Sequence, residues 1–327
     1  MITRRKLLVA LGAGALAAPL PSFAQKPAVH RIAWLSFDQA ATGSTFFAEF
    51  REGMRDLGYI EGRNLIIDAR WGDGSSERLD QLAVELARSN VQVIVAQGVL
   101  ALRPVVRAAP PMPVVFAFSG DPVAAGFVDS LARPGRNLTG ISMLSLDLVG
   151  KRIELLKEVL PGLKRLAILA NPEHAGEQAE LRVSRAAAKS VNVTVDYFQA
   201  RNTPQLEESL AALLKARSEA VVAFPDAILL RLRERIAAFS LQHRIPAISG
   251  WAQFAESGNL MSYGPNLRAS YRRLAAYVDK ILKGTNAAEL PVELPTTVEF
   301  VVNLKTAKAL GIKIPQSILV RADRVIE

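Results

Sequence analysis

From residue 31 onward the hydrophobic pattern alternates between two periods. Continuous apolar runs at 31–37, 64–71, 91–97 and 113–118 predict buried strands, and the stretches between them, 44–57, 77–88 and 100–108, carry apolar residues at helical spacing. Unbroken apolarity, rather than every second residue, is what a strand needs when helices cover both faces of a parallel sheet. The same alternation returns after a helix predicted over 146–160. Strands follow at 165–170, 193–199, 220–224 and 246–249, with helices at 177–189, 205–216 and 228–242. The last strands of the two series begin alike, Pro113-Val114-Val115 against Pro246-Ala247-Ile248. Each proline stands at a strand start, where its missing N–H costs least.

Between the two series runs 113–140, which ends a strand at Ser119-Gly120-Asp121-Pro122, predicts a short helix, and reaches Gly140 through the turn-rich Arg133-Pro134-Gly135-Arg136-Asn137. Beyond the second series lie a strand at 259–263, an amphipathic helix at 267–282, a link punctuated by Pro291 and Pro295, and a strand at 298–302. The expected fold is α/β, two doubly wound parallel-sheet lobes joined by three hinge crossings at Gly140, 258–264 and 284–295. Lobe one is expected to hold 25–141 plus 259–284, and lobe two 142–258 plus 296–327.

The 327 residues suffice for two domains of ordinary size, and 50% hydrophobic with 22% charged residues excludes a disordered chain. The absence of cysteine excludes a disulfide framework, a thiolate metal site, a cysteine nucleophile and a lipid-modified cysteine anchor. Residues 1–24 read as an export signal: basic Arg4-Arg5-Lys6, an apolar run from Leu7 to Leu20, and Ser22-Phe23-Ala24 as a small-x-small cleavage site. Arg4-Arg5 resembles a twin-arginine signal, and the ordinary Sec route stays open beside it. Export without an anchor implies the periplasm. The G-x-G-x-x-A run at 12–17 sits inside this segment and follows no strand, so it is not read as a dinucleotide site.

The formal charge is +9, and loss of the three bases Arg4, Arg5 and Lys6, with no acid among residues 1–24, leaves +6. The remaining bases are interspersed with acids, and the densest group, Arg231 to Arg235, reads as a solvated helix face rather than a nucleic-acid surface. No cofactor and no metal are called for. The three histidines His30, His174 and His243 lack metal-ligand spacing, and no G-x-S-x-G elbow occurs.

In an open parallel sheet, ligands bind beyond the carboxyl ends of the strands, where loops lead into helices. In lobe one this rule nominates Phe37, Gln39, Ser44 at a helix start, Gln97, Gly98, Ser119 and Asp121. In lobe two it nominates Asn171, His174, Asn202, Asp226, Ser249 and Trp251, with Tyr263 on the returning strand. Asp226 leads, because its carboxylate either caps the following helix or faces a ligand ammonium. Asp121, before Pro122, fits a turn and cap better than a ligand contact. Ser119 and the helix-start N–H groups near Ser44 and Gly98 suit a ligand carboxylate. Phe37, Trp251 and Tyr263 suit either an aromatic clamp or packing between lobes.

Five motifs in order, Leu57-Gly58-Tyr59-Ile60-Glu61-Gly62-Arg63-Asn64, Gly120-Asp121-Pro122-Val123, Ser130-Leu131-Ala132-Arg133-Pro134-Gly135 with Asn137-Leu138-Thr139-Gly140, Leu260-Met261-Ser262-Tyr263-Gly264, and Val302-Asn303-Leu304-Lys305-Thr306-Ala307-Lys308-Ala309-Leu310-Gly311, resemble the ABC transporter substrate-binding protein family that includes tryptophan- and tyrosine-type binders. The resemblance implies a type I periplasmic binding fold that closes on a small-molecule ligand, an amino acid or an aromatic or other carboxylate. It also implies delivery to the membrane permease of an ABC transporter, with no chemistry on the ligand and no nucleic acid, by a monomer. Val99-Leu100 and Ala227-Ile228-Leu229-Leu230 depart from the family where specificity is set. Two other functions stay open: a ligand-sensing module feeding a signalling partner, and an exported enzyme using Asp121 or Asp226 with His174.

Overall fold

The computed structural model describes residues 29–144 and 146–327; the export signal of residues 1–24 lies outside the described residues. The first lobe begins with β1 (His30–Ser36), α1 (Ala40–Asp56), β2 (Leu65–Trp71), α2 (Ser76–Ala87), β3 (Val93–Gln97), α3 (Gly98–Ala108), β4 (Val114–Phe118) and β5 (Leu138–Ser142). Its sheet has the order β2-β1-β3-β4-β5, parallel throughout. Ile32 and Trp34 on one face of β1 pack with Phe50 and Met54 of α1, while Ala33 and Leu35 on the other face pack with Leu79 and Leu102 of α2 and α3. Both faces are therefore dry, which accounts for the unbroken apolar runs.

The second lobe contains α4 (Asp147–Val159), β6 (Arg165–Ala170), α5 (Glu177–Ser190), β7 (Thr194–Gln199), α6 (Thr203–Lys215), β8 (Ala220–Ala223), α7 (Ala227–Arg231), α8 (Arg233–His243), β9 (Ala247–Ser249), α9 (Ala252–Glu256) and β10 (Met261–Pro265). After α10 (Leu267–Leu282) come a 3-10 turn at Ala287–Glu289, β11 (Val298–Asn303), α11 (Leu304–Leu310), α12 (Gln316–Arg321) and β12 (Arg324–Ile326). The second sheet runs β12-β11-β10-β9-β8-β6-β7, parallel except where β10 and β11 pair antiparallel.

Several expectations are corrected. Asn137 to Gly140 is not a hinge: Leu138–Ser142 forms β5, in register with β4 from Val114↔Leu138 to Phe118↔Ser142. Gly140 lets β5 approach, because a Cβ there would lie 2.0 Å from the Phe116 carbonyl oxygen. The short helix after Pro122 is a run of turns at 122–126. Residues 259–265 do not complete lobe one, since β10 pairs with β9 and β11 in the second sheet; α10, which packs on α1, β4 and β5, returns together with the stretch after it as far as Glu293. The helix expected over 228–242 divides at Leu232 into α7 and α8. The chain thus passes between lobes after Ser142, at Asn266 and between Glu293 and Val298. These passages are tied to one another, the Ser142 N–H donating to the Glu293 carbonyl (3.0 Å) and the Asn266 N–H to the Thr297 carbonyl (3.0 Å).

At the second passage β10 lies so close to the β9 loop that a Cβ on Gly264 would stand 2.1 Å from the Gly250 carbonyl oxygen. Gly264→Ala is expected to lower stability by about 3 kcal/mol. Gly162→Ala, where nothing lies within 4 Å of the added carbon, is expected to change it by less than about 0.5 kcal/mol. Urea unfolding of both variants is the measurement.

Candidate functional site

The carboxyl ends of the strands in both lobes face one cleft of about 670 Å³. Lobe one contributes the β1 exit, Phe37-Asp38-Gln39, together with Phe46 from α1, Gln97 and Gly98 where β3 runs straight into α3, and Ser119 after β4. Lobe two contributes Leu230 and Arg231 from α7, Arg233 at the start of α8, and Trp251 and Gln253 around the start of α9. Met143 from the first passage and Tyr271 from α10 close the cleft on the hinge side.

One part of this wall is apolar and aromatic. Phe46 stacks on Tyr271 with ring centroids 4.5 Å apart. Burial together with the Asp38 charge raises the Tyr271 phenol far above its usual value, so it stays neutral. Trp251 is 3% exposed, and its indole N–H finds no hydrogen-bond partner among the described residues. The Oε1 of Gln97 and of Gln253 likewise lack partners.

The polar part centres on Asp38. Its Oδ2 accepts from Gln97 Nε2 at 3.0 Å, and its Oδ1 lies 3.9 Å from Arg231 Nη1, which reaches across from the other lobe. Burial raises the Asp38 carboxyl above its ordinary value and outweighs the opposing pull of Arg231 and the Gln97 hydrogen bond. The Arg231 guanidinium carbon sits 4.6 Å from the centroid of the Phe37 ring, a cation–π contact between lobes. Gly98 opens α3 on the cleft wall at φ +75°, with nothing within 4 Å of where a Cβ would stand.

Of the residues nominated from sequence, Phe37, Gln39, Gln97, Gly98, Ser119 and Trp251 meet on this cleft. The others do not. Ser44 falls inside α1, which begins at Ala40 rather than at Ser44. Asp121 accepts from the N–H groups of Val123 (2.9 Å) and Ala124 (3.1 Å) and serves as a turn cap. Asn202 caps α6 by accepting from Gln205 N–H. Asp226, fully buried, caps α7 by accepting from the N–H groups of Ile228 (2.7 Å) and Leu229 (3.3 Å), with the Asn171 amide 3.4 Å from both its oxygens. Ser249 is buried and donates to the Ala223 carbonyl. The Tyr263 ring stands edge-on to Phe300, on the core of lobe two.

His174 and its surroundings form a second polar group, behind the lobe-two wall. His174 Nε2 donates to the Ser119 carbonyl at 2.9 Å, which ties the β6 loop to lobe one and fixes the tautomer. Its Nδ1 lies 3.8 Å from Glu180, whose other oxygen is 3.8 Å from the buried Arg152 guanidinium. Arg152 Nε donates to the Tyr263 carbonyl at 2.8 Å. Burial raises the Glu180 carboxyl and lowers Arg152, each against the pull of the other.

Sequence reasoning missed Asp38, Phe46, Arg231 and Tyr271. Asp38 stands between two nominated neighbours, Phe37 and Gln39, so the strand-end rule itself contained it. The expectation of a solvated face at 231–235 holds for Arg235, which pairs with Glu207 at an exposed site, and for Arg231, whose side chain is also exposed while leaning over Phe37 of the other lobe.

Known proteins resemble the chain over most of its length. A family model described as "ABC transporter substrate binding protein" matches residues 43–326. A tyrosine-binding protein from Clostridioides difficile (strain R20291) is 23% identical over 279 residues, 85% of this chain and 78% of that protein. The solved structure of an ABC domain in complex with L-Trp from Streptococcus pneumonia superposes with a TM-score of 0.84 at 22% identity, covering 91% of this chain and 100% of the other. A conserved domain protein from Vibrio cholerae O1 biovar eltor gives a TM-score of 0.83 at 26% identity, covering 91% and 99%.

Because its carboxylate caps α7, Asp226 acts first on stability. Asp226→Ala is expected to cost about 2 kcal/mol in urea unfolding, combining the loss of a cap with the unpaired Asn171 amide. A variant as stable as the parent would show that the cap contributes nothing.

Proposed function

The chain belongs to the ABC transporter substrate-binding protein family, and from that premise we propose that it is the periplasmic receptor of an importer, holding an amino acid with a flat, apolar side chain between its lobes. The observation that carries this reading is the interlobe cleft, of a size usual for small-molecule sites, in which unpartnered polar atoms and rings from both lobes converge. The ligand carboxylate lies at the open N-terminus of α3 and beside Ser119, and the side chain packs among Phe46, Tyr271 and Trp251. The L-Trp complex and the tyrosine-binding relative support this choice of ligand class.

Recognition works by population shift. A ligand that bridges the lobes stabilises their approach only by its differential affinity for the approached state. An affinity near 1 μM needs about −8 kcal/mol, within reach of one carboxylate clamp and one enclosed ring. The receptor is a monomer that hands its ligand unchanged to the membrane permease and contacts no nucleic acid. Cleavage after Ala24 releases it, by the twin-arginine or the Sec route.

A thermal-shift screen of the mature protein against amino acids and aromatic acids tests the ligand class, since a ligand selective for the folded state raises its melting temperature. Aromatic L-amino acids are expected to raise it, and a flat response across the panel sinks the proposal. In isothermal titration, Phe46→Ala is expected to weaken the best ligand about tenfold, a loss of about 1.4 kcal/mol.

A further inference from the structure

We propose that Asp38, Gln97 and Phe37 form a subsite for a ligand's primary ammonium group, and that Arg231 from the opposite lobe occupies this subsite as an internal competitor. The inference rests on the interlobe-ligand reading above and specifies what that ligand must carry.

The acceptors come first. Gln97 spends its amide N–H on Asp38 Oδ2 (3.0 Å), which leaves Gln97 Oε1 on the cleft wall, more than nine-tenths buried and with no hydrogen-bond partner among the described residues. Asp38 Oδ1 faces the Arg231 guanidinium at 3.9 Å, too far for a hydrogen bond. Asp38 Oδ1 thus stands by the guanidinium that covers the Phe37 ring, and Gln97, bonded to the same carboxylate, holds an unsatisfied amide oxygen beside it. An ammonium group brings three N–H donors and a compact charge, which satisfies a carboxylate oxygen, an amide oxygen and a ring face at once.

Arg231 supplies part of what such a ligand supplies. Its guanidinium lies over the Phe37 ring, with its side chain 43% exposed and no hydrogen bond to Asp38. A largely buried carboxylate held by Gln97 and Ser36, whose nearest cation is the half-solvated Arg231 with a weaker pull from Arg233, is charge-paired only at a distance, so a cation at hydrogen-bond distance is favoured in its place. Two cations cannot share one carboxylate and one ring face without repulsion, so the ligand's ammonium displaces the guanidinium, which has open solvent to move into. The solvation and cation–π contact that Arg231 loses or regains then subtract from or add to the ligand's affinity, and the residue sets a threshold below which weak cations do not enter.

Isothermal titration with L-tryptophan and its des-amino analogue indole-3-propionate tests this. The parent protein is expected to prefer L-tryptophan by about tenfold or more. Asp38→Asn retains an acceptor for Gln97 and is expected to bring the two probes within about twofold of each other. Arg231→Ala is expected to tighten L-tryptophan by about threefold or more without changing indole-3-propionate, and millimolar methylguanidinium is expected to reverse the gain in that variant while leaving the parent unaffected. Weaker binding of L-tryptophan by Arg231→Ala overturns the competitor role, because the guanidinium would then hold the ligand. Equal binding of the two probes by the parent overturns the ammonium subsite and leaves the interlobe ligand standing. Binding of neither overturns both.

Discussion

The buried guanidinium of Arg152 holds together four separate elements of lobe two. It projects from α4, the first helix after the chain enters lobe two, and donates to the Tyr263 carbonyl in the middle of β10, the strand from which the chain leaves again. Glu180 of α5 balances it, and the β9 loop is pressed so close that a Cβ on Gly250 would stand 2.7 Å from Nη2 and 2.3 Å from Pro225. A charge taken out of water is tolerable only while its partners remain in place. The positions of α4, α5, the β9 loop and the end of β10 are therefore mutually dependent. Trp251 follows directly on Gly250 and α7 follows on Pro225-Asp226, so the lobe-two wall of the cleft takes its placement from this buried pair.

Two kinds of contact join the lobes. On the hinge side they are short, mostly backbone-based and out of water: His174 to the Ser119 carbonyl at 2.9 Å, and the Asp121 N–H to the Ala175 carbonyl at 2.7 Å, with Gly120 needed because a Cβ would lie 2.2 Å from that same oxygen. Elsewhere the contacts are long, partly solvated side chains, Arg231 of lobe two over Phe37 and Arg103 of lobe one donating to the Glu173 carbonyl at 3.4 Å. The first kind fixes an axis and the second is soft. A ligand bridging the walls works against the soft contact, which is the economical place for differential affinity to act.

The strands were legible because both faces of each sheet are dry, and continuous apolar runs located β6 to the residue and most others to within one or two. The strand β5 escaped because it carries Thr139 and Gly140. The Thr139 hydroxyl is satisfied by the Leu290 carbonyl at 2.7 Å, a partner 151 residues away, which no local pattern reveals. The split of α7 from α8 at Leu232 has no proline or glycine to announce it. At the site, the strand-end rule found the right loops and did not sort their polar residues. Turns and helix starts need caps, so Asp121 at a turn, and Asn202 and Asp226 at helices, satisfy backbone N–H groups with the same side chains that would greet a ligand. What separated Asp38 from them was tertiary: Gln97 and Arg231 approach it from elsewhere in the chain, 59 and 193 residues away in numbering. Arg231 was hidden by its neighbours, since a solvated base that also reaches a ring of the other lobe looks, in sequence, like any other base on the same helix.

The antiparallel pair β10–β11 brackets an excursion in which α10 leaves lobe two, packs over Phe50, Met54 and Trp34 of lobe one, and comes back. Leu274, Tyr277 and Val278 on that helix complete a core whose other members lie near the start of the chain. During synthesis from the N-terminus neither lobe is finished when its first series of strands has emerged: lobe one waits for α10, and lobe two waits in turn for β11 to β12. The apolar flank of lobe one stays uncovered until five of the seven strands of its neighbour have been made, so the two halves are completed in an interleaved order rather than one after the other.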